Sequence, residues 1–462
     1  MTEATTSRNY KATLQLPQTS FPMRAGLAQN EPASQKRWAE MALYERIVSA
    51  RKEAGAAPFV FHDGPPYANA SLHVGHLLNK VLKDFVVRSR LLMGNHCPYV
   101  PGWDCHGLPI EHKVMTDTFT PGSEKAAKIG ALSDDQRRMA IRRECARYAE
   151  KSIKLQMAQM QRMLTLADYE HPYLTMLPSY EQRVLEVFAV MLSRGLVYRA
   201  LKPVHWSIAN QTALAEAELE YEEREDPSIY VDFEATDREA VSRAFGSYEL
   251  EQTPSFMIWT TTPWTLPANL AVAVHEKFRY ALVKVDGNIS VIAEDLVEKV
   301  TKAGKAEAVE VLATTEGKNL VGLTFRHPFC DDAKLGKPRA IVAADYVTLE
   351  DGTGLVHTAP GHGSEDYHTG LREGLPIYCP VQEDGTFDAT APDWLQGKSV
   401  WDANELVTEH LRTSGHLFTA HKFTHSYPHD WRSKTPVIFR ATEQWFIGVD
   451  APFRQESEGG VS

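Results

Sequence analysis

Two histidines near the start of the chain have the spacing of a phosphate-binding helix start. His73 and His76 follow a loop rich in glycine and proline and precede apolar residues three and four apart. This pattern predicts an amphipathic helix that begins with Ser71 as its N-cap and stops near Gly94. The first turn of a helix exposes unpaired N–H groups and the positive end of the dipole, so it can bind a phosphate. Gly75, between the histidines, would let a flat ligand approach the backbone. A structural helix start with surface histidines is the alternative.

The segments around these histidines predict a parallel sheet. A short apolar run, 58–61, precedes the loop, and another, 97–100, follows the helix. Strand, helix, strand in this order is a βαβ unit, and such sheets bind ligands beyond the carboxyl ends of their strands. The second run leads into a loop that contains Asp104. We therefore expect Asp104, His73 and His76 in one crevice.

Helical patterns flank this unit. Residues 1–35 are polar and contain three prolines, which predicts an extended arm. We predict helices over 35–52, from 134 to about 168, and from Ser179 to Gly195. One face of the long helix carries Arg143, Arg147, Lys151 and Lys154. These cations could meet a phosphate backbone, but a solvated face is favoured because acidic residues interrupt the neighbourhood.

Composition narrows the class of protein. The chain has 462 residues, enough for two or three domains, and is 43% hydrophobic and 24% charged, as in an ordinary globular protein. A net charge of -11 argues against binding nucleic acid through bulk charge, although a local basic surface remains possible. The five cysteines form no CxxC pair and predict a reducing, cytoplasmic location. We expect no signal peptide, membrane span or membrane partner.

After Gly195 the pattern becomes rich in strands. Turn sequences such as Asp286-Gly287 and Asp351-Gly352 separate short apolar runs. The runs are 229–233, 255–260, 270–274, 280–285 and 339–343. This predicts a separate β domain over about 200–425.

Two polar segments of that domain could form a pocket. Segment 259–269 carries four threonines, two prolines and Asn269 between tryptophans. Hydroxyls and an amide can hydrogen-bond a sugar or an ester, although threonine also suits a plain strand edge. Segment 352–368 carries four glycines, three histidines and the acidic pair Glu365-Asp366, which suits a polar pocket in loops. The weaker alternative is a metal site, whose ligands would be His357, His362, Asp366 and His368.

Together these segments resemble class I aminoacyl-tRNA synthetases, most closely isoleucyl-tRNA synthetases of bacterial type. The resemblance runs from about Gln35 to about Asp450. It rests on PPYANASLHVGH with NKVLKDF, GWDCHGLPIE, HPYLTM, KPVHW, ALAEAELEY, WTTTPWTLPAN, GTGLVHTAPGHG and TPVIFRATEQWF, in that order. It implies an α/β fold in which the first half of a Rossmann-like nucleotide fold carries an inserted β-barrel editing domain. The implied parts are an arm (1–35), the first half of the catalytic domain (36–199), the editing domain (200–425) and a return into the catalytic domain (426–462).

The resemblance also implies roles for single residues. His73, Gly75 and His76 would bind ATP, and the two histidines would stabilise the transition state as the isoleucine carboxylate attacks the α-phosphorus. Asp104 would hold the substrate ammonium group. The isoleucine side chain would be lined by Gly64, Pro65 and Trp445.

A second, hydrolytic site is implied because an apolar pocket distinguishes one methylene by only about 1–3 kcal/mol, for which the isoleucine enzymes are themselves the standard example. This editing site, specific for valyl-tRNA(Ile), would comprise Thr260, Thr261, Thr262, Asn269, His357 and Asp366. Asp366 would anchor the ammonium group of the misattached valine. The threonines and His357 would hold the terminal adenosine and the water.

The implied substrates are ATP with Mg²⁺, L-isoleucine and tRNA(Ile), and the full-length protein is expected to be a monomer. Three departures qualify this. Ala70 replaces a usual glycine, and Ser207-Ile208-Ala209-Asn210-Gln211 replaces a CxxC zinc knuckle. No metal site is therefore expected in this chain, and zinc only in a missing C-terminal part. The KMSKS loop and the anticodon-binding domain are also absent.

Three functions remain in competition. The first is an isoleucine–tRNA ligase, of which this chain is an N-terminal portion that does not activate isoleucine efficiently alone. The second is a stand-alone valyl-tRNA deacylase that works through the β domain. The third is a binding module or non-functional fragment, because an incomplete parallel sheet leaves apolar surface uncovered.

Overall fold

The computed structural model describes residues 10–15, 19–20, 24–163, 165–330 and 338–452. The chain divides into two compact units, Met1–Met191 and Leu192–Ser462. The first is mainly helical and the second is rich in strands, so the predicted α/β class is confirmed. Fifteen of the 35 residues of the predicted arm lie outside the described residues. Within the described part of the chain, no helix has both the length and the apolar character needed to cross a bilayer.

The first unit contains seven described helices and two short strands. The helices are α1 (Leu27–Glu40), α2 (Leu43–Glu53), α3 (Val74–Leu92), α4 (Leu108–Asp117), α5 (Glu124–Gly130), α6 (Asp134–Arg162) and α7 (Pro178–Ser193). The strands β1 (Gly102–Trp103) and β2 (Tyr173–Leu174) pair in parallel. A short 3₁₀ turn covers Tyr10–Thr13.

The parallel arrangement around α3 is confirmed, although its strands are shorter than predicted. The chain before α3 pairs in parallel with the chain after it, through the bridges Pro58–His96 and Tyr67–Asp104. The runs 58–61 and 97–100 are otherwise extended without forming regular strands. Their pairing nevertheless brings the loop before α3 beside Asp104, as expected for a βαβ unit.

The predicted single helix over 35–52 is wrong. Two helices, α1 and α2, cover this part of the chain, and α1 begins at Leu27, inside the predicted arm. The break falls at Ala42, whose φ of 47° is left-handed and cannot continue a right-handed helix. The partial apolar face gave no indication of this break, because alanine is a strong helix former.

The second unit contains the strands predicted from the apolar runs. They are β3 (Val197–Ser207), β4 (Thr212–Leu214), β5 (Leu219–Glu234), β6 (Ser255–Thr260), β7 (Ala271–Val274), β8 (Arg279–Val285), β9 (Asn288–Ala293), β10 (Val309–Glu316), β11 (Thr324–Phe325), β12 (Arg339–Ala343), β13 (Val356–Thr358), β14 (Leu417–Asp430) and β15 (Ile438–Ile447). Four helices accompany them, α8 (Arg238–Ala244), α9 (Val297–Ala303), α10 (Ser364–Arg372) and α11 (Val400–Thr413). The sheets have the strand orders β10-β8-β9-β6-β5-β14, β11-β12-β7-β13 and β15-β3-β4.

One core joins the two larger sheets of this unit. Phe233 and Phe256 from the six-stranded sheet and Phe325 from the four-stranded sheet are fully buried in the same cluster. The hairpin between β8 and β9 turns at Asp286 and Gly287, both with positive φ (48° and 97°), as the Asp-Gly sequence predicts. This core fixes the loops that follow β6 and β13, where the polar motifs lie.

Candidate functional site

The two signature histidines form the N-terminal cap of α3. His73 is the N-cap, so the prediction of Ser71 is wrong. The Gly75 N–H donates to His73 Nδ1 (3.1 Å), and the His73 N–H donates to His76 Nδ1 (3.2 Å). A Cβ on Gly75 would lie 2.9 Å from the His73 ring. Glycine is therefore required here to seat the capping ring, in addition to any approach by a ligand.

This cap fixes which nitrogen of each ring carries a proton. Because Nδ1 accepts a hydrogen bond in both rings, a neutral His73 or His76 carries its proton on Nε2. Burial, followed by the neighbouring His73 and Lys80, lowers the pKa of His76, so its ring is neutral at pH 7. The helix start thus presents Nε2–H donors beside unpaired backbone N–H groups. Such a surface can bind an anion.

A glutamine on α6 holds the loop that leads to the histidines. The Gln156 side chain is fully buried, and its Nε2 donates to the carbonyls of Tyr67 (3.0 Å), Asn69 (3.2 Å) and Ala70 (3.0 Å). Its Oε1 accepts from the Trp103 indole at 2.9 Å. No motif in the sequence predicted a role for Gln156. The only indication is its position, which falls on the buried face of α6.

The basic residues of α6 face solvent instead. Arg143, Arg147, Lys151 and Lys154 are all exposed. Arg147 pairs with Glu144 on the same helix at 2.8 Å. The favoured interpretation of a solvated charged face is the one consistent with these contacts.

Asp104 lies beside the same loop. Its N–H donates to Pro66 O (2.9 Å), and its carbonyl accepts from the Ala68 N–H (2.8 Å). The half-buried carboxylate accepts a long hydrogen bond, 3.4 Å, from the His106 N–H. Gly64 and Pro65 precede this pairing in the same loop. The backbone thus holds three of the predicted amino-acid-binding positions together.

Trp445 is located differently. It lies on β15 in the second unit, with 60% of its surface exposed and the Arg199 guanidinium 5.4 Å from its ring. Its part in an isoleucine pocket stays a prediction.

The second unit contains a polar cavity of about 330 Å³ at the predicted editing residues. Its lining includes Thr260, Thr261, Thr262, His357 and Asp366. Residues outside the predicted editing set also line it, among them Trp259, Thr265, Tyr346, Asp351 and His362. Asn269 is absent from the lining and is fully buried behind His357.

Both ring nitrogens of His357 are engaged by the protein. Thr265 Oγ1 donates to Thr262 O (2.8 Å), so it accepts from His357 Nε2–H at the same distance. Asn269 Nδ2 donates to His357 Nδ1 at 3.3 Å. Burial and the neighbouring His362 lower the pKa of His357 to about 3. The ring is therefore neutral, and the implied contact of His357 with adenosine or water stays a prediction.

Asp366 lies in the first turn of α10 and faces the cavity. Its Oδ2 accepts from the Ala359 N–H at 2.8 Å. Burial raises the pKa of Asp366 to about 6, against the lowering effect of the Ala359 N–H. An ionised carboxylate in this position can hold an ammonium group, and the threonine hydroxyls opposite can hold ester or ribose oxygens.

No group of three potential metal ligands gathers anywhere in the described ranges. The proposed set around Asp366 is not a metal site, since the His357 nitrogens are occupied and His368 is exposed. At the positions of the missing zinc knuckle, the fully buried Asp430 carboxylate accepts from Ser207 Oγ (2.7 Å), Asn210 Nδ2 (2.6 Å) and Ser433 Oγ (2.9 Å). Hydrogen bonds therefore join the segment 207–210 to the segment 430–433.

Comparisons with known proteins agree with this geometry. The family model for tRNA synthetases class I (I, L, M and V) matches residues 33–458. The chain is 48% identical over 442 residues to an isoleucine–tRNA ligase of Kosmotoga olearia, covering 96% of this chain and 44% of that protein. It is 44% identical over 449 residues to an isoleucine–tRNA ligase of Carboxydothermus hydrogenoformans, covering 97% and 45%.

Likeness to a solved structure is weaker. The structure described as GlLeuRS-CP1 covers 42% of this chain and 98% of its own, with 12% identity and a TM-score of 0.36. The chain spans about 45% of the length of the curated relatives it matches. The family match, which extends over nearly all of the sequence, shows that the chain belongs to the class I tRNA synthetases of the isoleucine, leucine, methionine and valine group.

Proposed function

We propose that this chain is part of an isoleucine–tRNA ligase. The whole protein would activate L-isoleucine with ATP, transfer it to tRNA(Ile), and hydrolyse valyl-tRNA(Ile) in the second unit. The cavity that gathers Thr260, Thr261, Thr262 and Asp366 is the observation that carries the editing part of this proposal. The synthetic part is supported by the histidine cap of α3 and by the names of the relatives.

In the first unit, the start of α3 would receive the ATP phosphates. As the isoleucine carboxylate attacks the α-phosphorus and pyrophosphate leaves, negative charge develops on the phosphate oxygens. The Nε2–H groups of His73 and His76 and the N–H groups of the first turn would stabilise that charge, since they are already oriented by the cap. Asp104 would bind the ammonium group of isoleucine, and Gly64 and Pro65 would line its side chain.

Mg²⁺ would accompany ATP. Since the described residues contain no group of three ligating side chains, the phosphate oxygens and water would supply most of its ligands. The ion would neutralise phosphate charge alongside the donors of α3. The proposed full-length protein is a cytoplasmic monomer that binds tRNA(Ile).

In the second unit, Asp366 would anchor the ammonium group of valine. Thr260, Thr261 and Thr262 would bind the ester and terminal ribose. Asn269 and Thr265 would hold the His357 ring in its neutral form, so that it shapes the wall of the cavity without changing charge. Water would attack the ester carbonyl, and the tRNA hydroxyl would leave.

The test is release of valine from valyl-tRNA(Ile) by the 462-residue chain. The unsubstituted chain should accelerate hydrolysis, Asp366→Ala should lose most of this acceleration, and Glu365→Ala should keep it. Glu365 is the matched control, because it is an adjacent acid that does not line the cavity. Equal release with the unsubstituted chain and Asp366→Ala would overturn the editing assignment.

A stand-alone valyl-tRNA deacylase is the second candidate. It is favoured by the cavity, whose lining residues all belong to the second unit. Isoleucine-dependent exchange of pyrophosphate into ATP tests this candidate. Exchange by this chain would exclude a stand-alone deacylase, whereas deacylation without exchange is expected of both candidates, because the ligase portion is not expected to activate isoleucine efficiently alone.

A further inference from the structure

A buried charge cluster lies beneath the start of α3 in the first unit. The Asp63 carboxylate has no exposed surface, and the side chains of Lys80 and Lys83 are 5% and 17% exposed. Lys80 Nζ lies 2.9 and 2.7 Å from the two Asp63 oxygens, and Lys83 Nζ lies 2.6 Å from Oδ1. Two ammonium groups thus share one carboxylate.

The cluster reaches the backbone of both loops that carry the predicted isoleucine-binding residues. Lys83 Nζ donates to the Gly64 carbonyl at 3.1 Å. The Gly102 N–H donates to Asp63 Oδ2 at 3.4 Å, two residues before Asp104. The Tyr173 hydroxyl donates to the Asp63 carbonyl at 2.7 Å, and a Cβ on Gly102 would lie only 2.0 Å from the Tyr173 ring. The strand ends are therefore locked to α3 at one point.

Buried ion pairs of this kind are rarely retained for stability alone, because desolvation offsets much of their attraction. Here one carboxylate attracts two ammonium groups. Both lysines come from α3, one turn apart and on the same helix as the histidine cap, while the acid comes from the loop. A shift of the Gly64 loop would break the contact between Lys83 and the Gly64 carbonyl.

We propose that Asp63, Lys80 and Lys83 are positioning residues that fix the Gly64 and Gly102–Asp104 backbones for binding the amino-acid substrate. This rests on the proposed ligase function. Lys83 acts on the Gly64 carbonyl, whereas the phosphate-facing donors belong to the cap of α3. Loss of Lys83 should therefore weaken binding of the amino acid and spare binding of the nucleotide.

Lys83→Met is the informative variant, since Lys80 still neutralises Asp63 and the fold is retained. Binding of L-isoleucine and of ATP with Mg²⁺ is measured separately by titration calorimetry on the full chain. The Kd for isoleucine should rise about ten-fold, the effect of losing one charge-assisted hydrogen bond, while the Kd for ATP should stay within about two-fold. Lys83→Arg should recover most of the isoleucine affinity. Lys128→Met, at an exposed ion pair on α5, is the control and should change neither Kd.

The outcomes distinguish a failure of the positioning role from a failure of the proposed ligase function. If the unsubstituted chain binds isoleucine and Lys83→Met binds it equally well, the positioning role is wrong and the proposed function stands. If Lys83→Met weakens both ligands equally and also lowers the melting temperature, the cluster serves only stability, and the positioning role is again wrong. If the unsubstituted chain binds neither ligand, the synthetic part of the proposed function fails for this chain, and the positioning role fails with it.

Discussion

His73 and His76 each use one ring nitrogen to cap α3 and leave the other facing outward as a donor. Since a cap removes unpaired N–H groups from the helix start, it would seem to compete with anion binding. The cap uses the N–H groups of His73, Gly75 and His76, and the Nε2–H groups of the two rings are the donors that it offers in their place. The cap also prevents the rings from rotating. Donors held before the substrate arrives need no reorganisation during the reaction.

Ala70 shows what a single departure from the family pattern does. Its φ of 57° is left-handed, a conformation that costs a residue with a Cβ about 1–2 kcal/mol. We predict that Ala70→Gly raises the free energy of unfolding by about 0.5–1 kcal/mol, because relief of this strain exceeds the added entropy of the unfolded chain. Urea denaturation measures the change. Ala127→Gly, at an exposed position inside α5, should instead lose about 1 kcal/mol. A loss at Ala70 as large as at Ala127 would contradict the left-handed conformation.

Asp366 gives the second site a dependence on pH. Because its pKa is raised to about 6, the anchoring carboxylate forms as pH rises through that value. We predict that deacylation of valyl-tRNA(Ile), after subtraction of uncatalysed hydrolysis, increases with pH across about 5–7. Asp366→Asn should remove this dependence. A rate independent of pH in the unsubstituted chain would exclude Asp366 as the ionised anchor.

The raised pKa of Asp366 also affects the free energy of unfolding. Whereas the predicted rate increases with pH, this contribution to stability decreases as pH rises. The folded protein keeps the Asp366 proton above the ordinary pKa of 3.8, where the unfolded chain has lost it. This stabilising contribution is complete below 3.8 and is lost as pH rises through about 6. Asp366→Asn should therefore be stabilising relative to the unsubstituted chain near pH 7, even though it removes the anchor.

At the scale of elements, α6 supports the loop that precedes α3. Gln156 donates to three loop carbonyls, Tyr148 Oη donates to Asn69 Oδ1 (2.7 Å), and Gln159 Oε1 accepts from the Leu72 N–H (2.9 Å). These side chains lie three, eight and eleven residues apart, and therefore on one face of the helix. A loop without regular strand pairing thus has its backbone groups satisfied by a neighbouring helix.

We predict that Gln156→Leu, which keeps the volume of the side chain, lowers the free energy of unfolding by about 2 kcal/mol, because it leaves the buried Trp103 indole and three half-buried loop carbonyls without their partner. Gln161→Leu on the exposed side of α6 should change it by less than about 0.5 kcal/mol. Denaturant unfolding followed by tryptophan fluorescence compares the two. Equal effects would mean that the contacts of Gln156 contribute nothing specific.

At the scale of the whole molecule, each unit has a core of its own. Trp103, Ile110 and Met160 form the centre of one cluster, and Phe233, Phe256 and Phe325 belong to another. Domains with separate cores often unfold separately. A protein built this way can keep the cavity of the second unit folded independently of the first unit.

We predict two calorimetric unfolding transitions. Met160→Ala should lower one melting temperature and Phe256→Ala the other, since each substitution leaves a cavity that costs about 2–5 kcal/mol in its own core. A single transition that both substitutions shift would contradict independent units. The absence of any cooperative transition would favour the hypothesis of a non-functional fragment.

The sequence by itself determined the family, the α/β class and the strand-rich second half. It could do so because hydrophobic period, turn residues and motif order are local properties of the chain. The helix break at Ala42 and the cap at His73 were missed because alanine favours helix, and histidine is an unusual N-cap.

Only the tertiary structure decided how the polar residues of both units are held. Gln156, the Asp63 cluster and the pair around His357 act through partners 17 to 92 residues away along the chain. No local pattern encodes such contacts, since a buried polar side chain is recognised by its partners and not by its spacing. Only the tertiary structure therefore shows that Thr265 and Asn269 engage both ring nitrogens of His357. It also shows that Lys80 and Lys83 of α3 contact the Asp63 carboxylate in the loop before that helix.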